Sequence, residues 1–140
     1  MKNPILLTTI FIILLSCKIT GKHTSQGLIP HQVSKTETFE DFNAKFHADS
    51  AFQLTRITFP LGGHQVDAFE EKGLKKESWQ VMKVPVEAPI DTLEYNRIIE
   101  RTDSSVTEEI WVEDSGFHVK RTFKQRSGKW FLTFYNDTNL

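Results

Sequence analysis

Residues 94–136 read EYNRIIERTDSSVTEEIWVEDSGFHVKRTFKQRSGKWFLTFYN, and their alternation decides the fold. Branched and aromatic side chains recur at every second position, which is the period of a half-buried strand. Turn signals divide the stretch into four strands, at about 94–101, 105–113, 117–126 and 129–136. Ser115-Gly116 and Ser127-Gly128 read as two-residue hairpin turns, and Thr102-Asp103-Ser104 as the first loop. The expectation is a four-stranded antiparallel meander.

The turns fix which side chains share a face. A two-residue turn at Ser127-Gly128 opposes Phe123 with Leu132 and Gln125 with Trp130. The same turn at Ser115-Gly116 opposes Val112 with Val119 and Ile110 with Arg121. One face then carries Tyr95, Arg97, Ile99, Arg101, Val106, Glu108, Ile110, Arg121, Phe123, Trp130, Leu132 and Phe134. The other carries Trp111, His118, Lys120, Phe131 and Tyr135.

Upstream of the meander the signals change. Trp79, Val81, Met82, Val84 and Val86 suggest a strand that Pro85 and Pro89 confine to an edge or a bulge. Residues 54–61 read as a strand closed by Pro60 and Gly62-Gly63. Before it, Phe39, Phe42 and Phe46 lie at i, i+3 and i+7, the spacing of one helix face. Thr36 or Thr38 can cap that helix, and Asp49 or Ser50 a second turn carrying Phe52. Lys18 to about Lys35 has no apolar period and reads as a tether.

The N-terminus reads as an address. After Lys2, residues Ile5–Leu15 are apolar except for Thr8 and Thr9, too short a run for a membrane-spanning helix and the size of a signal-peptide core. The run ends in Leu14-Leu15-Ser16-Cys17, which resembles a bacterial lipobox. That resemblance implies cleavage before Cys17 and acylation of its thiol with palmitate-like chains, which hold a protein on a membrane stably. The division is a leader at 1–16, a lipidated Cys17 and tether at 17–36, and one α+β domain at 37–140. Lys18, with no acidic run behind it, resembles the start of a Gram-negative outer-membrane lipoprotein that faces the periplasm.

Composition sets the outer bounds. With 140 residues the chain holds one ordinary domain. A formal net charge of −1 excludes the basic excess of a nucleic-acid domain. One cysteine excludes a disulfide framework and a cysteine-rich zinc site. The five histidines share no element at metal-ligand spacing, so neither a metal nor a cofactor is expected.

A Phe-faced helix, then strands, then a meander ending in Gly128-Lys129-Trp130-Phe131-Leu132 resembles the nuclear-transport-factor-2-like fold, a cone in which a bent sheet wraps a helix. A cystatin-like arrangement, one helix on a curved antiparallel sheet, is the alternative. The stretch from Asp49 to Leu61 is similar to a family of gut-bacterial lipoproteins with a domain of unknown function. The resemblance implies fold and location, and it assigns no catalytic residue.

Three constellations stand out. On the core-facing side, Tyr95, Arg97, Glu108, Arg121, Phe123 and Trp130 are a candidate pocket for a small polar or anionic ligand, with arginines as donors. The alternative is a structural ion pair at the rim of the sheet. An enzymatic alternative makes Glu108 a base and Tyr95 a donor. On the opposite face, Trp111, Phe131 and Tyr135 form a candidate interface, for a homodimer or a sugar, unless residues 64–93 cover them. The overall reading is a non-catalytic binding or interaction module anchored in the envelope, with a purely structural dimerisation domain as a further alternative.

Overall fold

The computed structural model describes residues 36–68 and 70–140. The expected leader, Cys17 and the expected tether up to residue 35 lie outside the described residues. Two helices come first, α1 at Phe39–Ala48 and α2 at Ser50–Thr55. Thr38 caps α1 by accepting from the Asp41 amide, and Asp49 caps α2 by accepting from the Phe52 amide. The strands are β1 (Ile57–Gly62), β2 (Gln65–Asp67), β3 (Glu70–Lys72), β4 (Asn96–Thr102), β5 (Ser105–Trp111), β6 (His118–Arg126) and β7 (Lys129–Asn139).

The expected meander is present as β4–β7, antiparallel throughout. The second edge of β7 carries two parallel partners in succession, β1 near Leu132–Phe134 and β2 at Asp137–Asn139. The sheet is therefore mixed, in the order β3-β2-β7-β6-β5-β4, with β1 also on β7. Gly63 makes the crossing from β1 to β2 workable. Its φ is +100°, and a Cβ there would stand 2.1 Å from the Tyr135 carbonyl oxygen.

The Ser127-Gly128 turn behaves as read, with both residues at positive φ and Arg126 opposite Lys129. The Ser115-Gly116 turn does not. Val112 and Phe117 close a longer loop that includes Asp114 at positive φ, so Ile110 opposes Val119 and Glu108 opposes Arg121. The correction is a slip of two residues, which leaves every side chain on its expected face. A second correction does move side chains. Phe123 opposes Leu132, but Thr122 opposes Phe134, so one residue of β7 is extra. Beyond that bulge Phe134 leaves the pocket face and Tyr135 enters it, opposite Arg121.

The core lies between the helices and this face. Phe39, Phe42 and Phe46 pack edge-on against Phe123, and Phe39 also against Trp130. Val106, Phe123, Trp130 and Leu132 complete the floor. Residues 79–91 are not the expected strand. After one 3-10 turn at Lys76–Ser78 they run as an irregular strap without ladder pairing. Pro85 and Pro89 lack the N–H groups a ladder needs.

Candidate functional site

The strap is positioned by side chains rather than by backbone pairing. Gln53 is fully buried and uses all four of its hydrogen-bonding positions. Its Nε2 donates to the carbonyls of Phe46 and Met82, both at 2.8 Å. Its Oε1 accepts from Trp79 Nε1 and the Met82 amide, both at 2.9 Å. Asn43 does the same one step further on, giving and receiving a hydrogen bond with the backbone of Val86. Gln53 lies on α2 and Asn43 on α1, and nothing in their local sequence announces that they clamp this strap.

Glu108 and Arg121 form the centre of the expected pocket, at 1% and 5% exposure. Arg121 Nε donates to Glu108 Oε2 at 2.6 Å, and Nη2 pairs with the same oxygen. Arg121 Nη1 donates to the Val84 carbonyl at 2.7 Å and meets His47 Nε2 at 3.2 Å. Glu108 Oε1 accepts from the Glu87 amide, and Arg97 stands 3.8 Å away while donating to the Ala88 carbonyl. Every one of these partners belongs to the chain itself. The group is a buried ion-pair network that pins the strap to the sheet.

His47 is the titratable member of that network. Burial first, and the Arg121 charge after it, push its pKa down to about 4. A neutral ring with its proton on Nδ1 donates to the Asn43 carbonyl at 2.8 Å and accepts from Arg121, which satisfies both nitrogens.

The other expected pocket residues divide. Phe123 and Trp130 are core. Tyr95 sits just before β4, edge-on to Phe117 at 5.5 Å, and the neighbouring Glu94 charge raises its pKa. It makes no hydrogen bond to Glu108, whose own partners are Arg121 and the Glu87 amide.

The three residues of the expected interface are dispersed. Trp111 lies opposite His118, its indole N–H donating to Glu113 at 2.9 Å. There Glu109 accepts from His118 and pairs with Lys120, and these contacts lower its pKa. Phe131 lies towards the opposite end of the sheet, opposite Lys124 and 5.4 Å from the Arg56 guanidinium. Tyr135 has moved to the pocket face, edge-on to Trp79.

Two clefts flank the strap, and both reach Met82 and Tyr135. The larger has a volume of about 570 Å³ and is bordered by Gln65, Lys75, Trp79 and Asp137. Asp137 there accepts from the Tyr135 hydroxyl, whose pKa burial and that carboxylate both raise. The smaller, about 280 Å³, runs along Ile110, Val119 and Val84. Among the described residues no group of His, Cys, Asp and Glu side chains could hold a metal ion.

Comparison with known proteins places this geometry. A family model described only as "-like" matches residues 37–139. No curated protein matches the chain. Among solved structures, a cystatin-like protein from Bacteroides caccae is 25% identical, with a TM-score of 0.55 over 74% of this chain and 77% of that one. A protein from Bacteroides uniformis is 23% identical, with a TM-score of 0.52 over the same shares. A nuclear-transport-factor-2-like protein from Bacteroides fragilis is 21% identical, with a TM-score of 0.50 over 76% of this chain and 49% of that one. Short helices on a curved, unclosed mixed sheet are thus the fold named by both expectations.

Proposed function

The chain belongs to the family whose model spans residues 37–139, an uncharacterised family with nuclear-transport-factor-2-like and cystatin-like neighbours in Bacteroides, and from that premise we propose that it is a non-catalytic binding module held at the cell envelope by a lipid on Cys17. The observation that carries the binding role is the contrast between the charged cluster and the clefts. Glu108 and Arg121 are paired inside the chain, whereas beside the strap the smaller cleft presents mainly aliphatic and aromatic walls and the larger one sets Leu74, Trp79 and Met82 among Lys72, Lys75 and Asp137. The anchor is carried by the apolar run Ile5–Leu15 and the Ser16-Cys17 junction. The periplasmic side of a Gram-negative outer membrane is the location that Lys18 favours.

Native mass spectrometry of the chain from Lys18 tests the binding role. A stoichiometric small mass, or a small-molecule library member that raises the melting temperature through these clefts, is the expected result. A ligand-free monomer that responds to nothing overturns it, and a ligand-free dimer shifts the role to assembly. For the anchor, the wild-type protein should partition with membranes and take up labelled palmitate. Cys17→Ser should lose both, and equal uptake by the variant removes the lipidation.

A further inference from the structure

The smaller cleft has a chemistry of its own. Val84, Ile110, Phe117, Val119 and Tyr135 make its body apolar, and Lys83 is the other charged residue in its lining besides Arg121. Arg121 is neutralised by Glu108, with its N–H groups turned to Glu108, Val84 and His47. Lys83 is exposed and joins none of the ion pairs among the described residues. Val84 is 59% exposed, an aliphatic side chain left in water at the edge of an apolar cleft. An oily cleft with one free ammonium group complements a molecule that has an oily body and one negative head.

We propose that this cleft binds a single-chain anionic amphiphile, a medium-chain carboxylate, with its alkyl chain along Ile110, Val119 and Val84 and its head at Lys83. The inference deepens the binding-module reading and rests on it. Size supports it as well as charge. A volume of about 280 Å³ sits at the small end of ligand sites, room for one modest chain and not for a two-chain lipid. Tyr95 backs the wall by packing on Phe117, which gives that residue a positioning role and no contact with a reacting group.

The chain from Lys18 contains every described residue and the core they form, so calorimetric titration of that chain is the experiment. Hexanoate, octanoate, decanoate and dodecanoate are compared below their micelle concentrations, with decanol as the headless control. Affinity should rise about fourfold per added methylene and level off once the cleft is full. Decanoate should bind about two- to fivefold tighter than decanol, the scale of an exposed charge pair. Lys83→Met should erase that preference and keep the dependence on length. Val84→Asp, at an exposed position, should weaken every chain while circular dichroism stays unchanged. Affinity that ignores chain length, a carboxylate preference that survives Lys83→Met, or full binding by Val84→Asp overturns the proposal. If another small mass co-purifies while the series fails, the binding module stands and the amphiphile falls. If nothing binds at all, both fall.

Discussion

Arg121 shows how burial alters the meaning of a charged residue. An arginine on an apolar face reads in sequence as a donor awaiting a ligand. In the fold its charge is already met by Glu108, and its remaining contacts go to the carbonyl of Val84 and to His47. Arg121→Met should therefore cost about 3–5 kcal/mol in urea unfolding, because it strands a buried carboxylate. Adding Glu108→Leu to it should recover part of that loss. If Arg121→Met leaves the unfolding midpoint in place, the pair is not structural. His47 adds a pH dependence with a definite sign. Its folded pKa, about 4, lies below the ordinary 6.5. Between those values the unfolded chain binds the extra proton, so stability is full above about pH 6.5 and falls as the pH drops towards 4. The loss should reach about 2–3 kcal/mol. Subtracting the pH profile of His47→Gln from that of wild type isolates it, and identical profiles from pH 7 to 5 would sink the assignment.

At the scale of elements, legibility followed the physics of each segment. The meander was readable because its strands repeat every two residues and its turns carry glycine. The loop between β5 and β6 was misread by two residues because Asp114 takes a positive φ without a glycine to announce it. The bulge in β7 left no local mark, since Thr133-Phe134-Tyr135 continues the alternation unbroken. That single extra residue took Tyr135 out of the expected aromatic interface and made it a wall of both clefts. The strap was least readable of all. Its order comes from Gln53 and Asn43, more than 25 residues away in sequence, and single-sequence patterns carry no such pairing. Gln53→Leu would leave four buried or partly buried polar groups without the amide they bond, at a cost of about 2 kcal/mol. Hydrogen exchange at the Met82 and Val86 amides should then accelerate much more than exchange in β5 and β6. Uniform acceleration would mean that the clamp stabilises the whole fold rather than the strap.

For the whole molecule, the question is how the entering chain is fastened to the domain, because under the proposed lipid anchor that point would carry the clefts. Glu37, just before the Thr38 cap of α1, is a tie across the fold. Its carboxylate grips Arg56 with two hydrogen bonds, at 2.9 and 3.0 Å, and accepts from the Trp130 amide. Its carbonyl accepts from the Trp130 indole and from Gln125, and its amide donates to the Gly128 carbonyl. One residue thus fastens the entering chain to α2, β6 and β7. A module suspended from a lipid at Cys17 would transmit any pull along the tether to this point first. A chain beginning at Thr36 should therefore unfold at the same denaturant concentration as one beginning at Lys18. A chain beginning at Phe39, or Glu37→Ala in the longer chain, should lose about 2 kcal/mol or more, since a bidentate, partly buried ion pair and its backbone partners are released together. A boundary that could be moved past Glu37 without loss would leave the tether joined at α1 alone. The clefts would then sit on a unit that frays from its N-terminus under load.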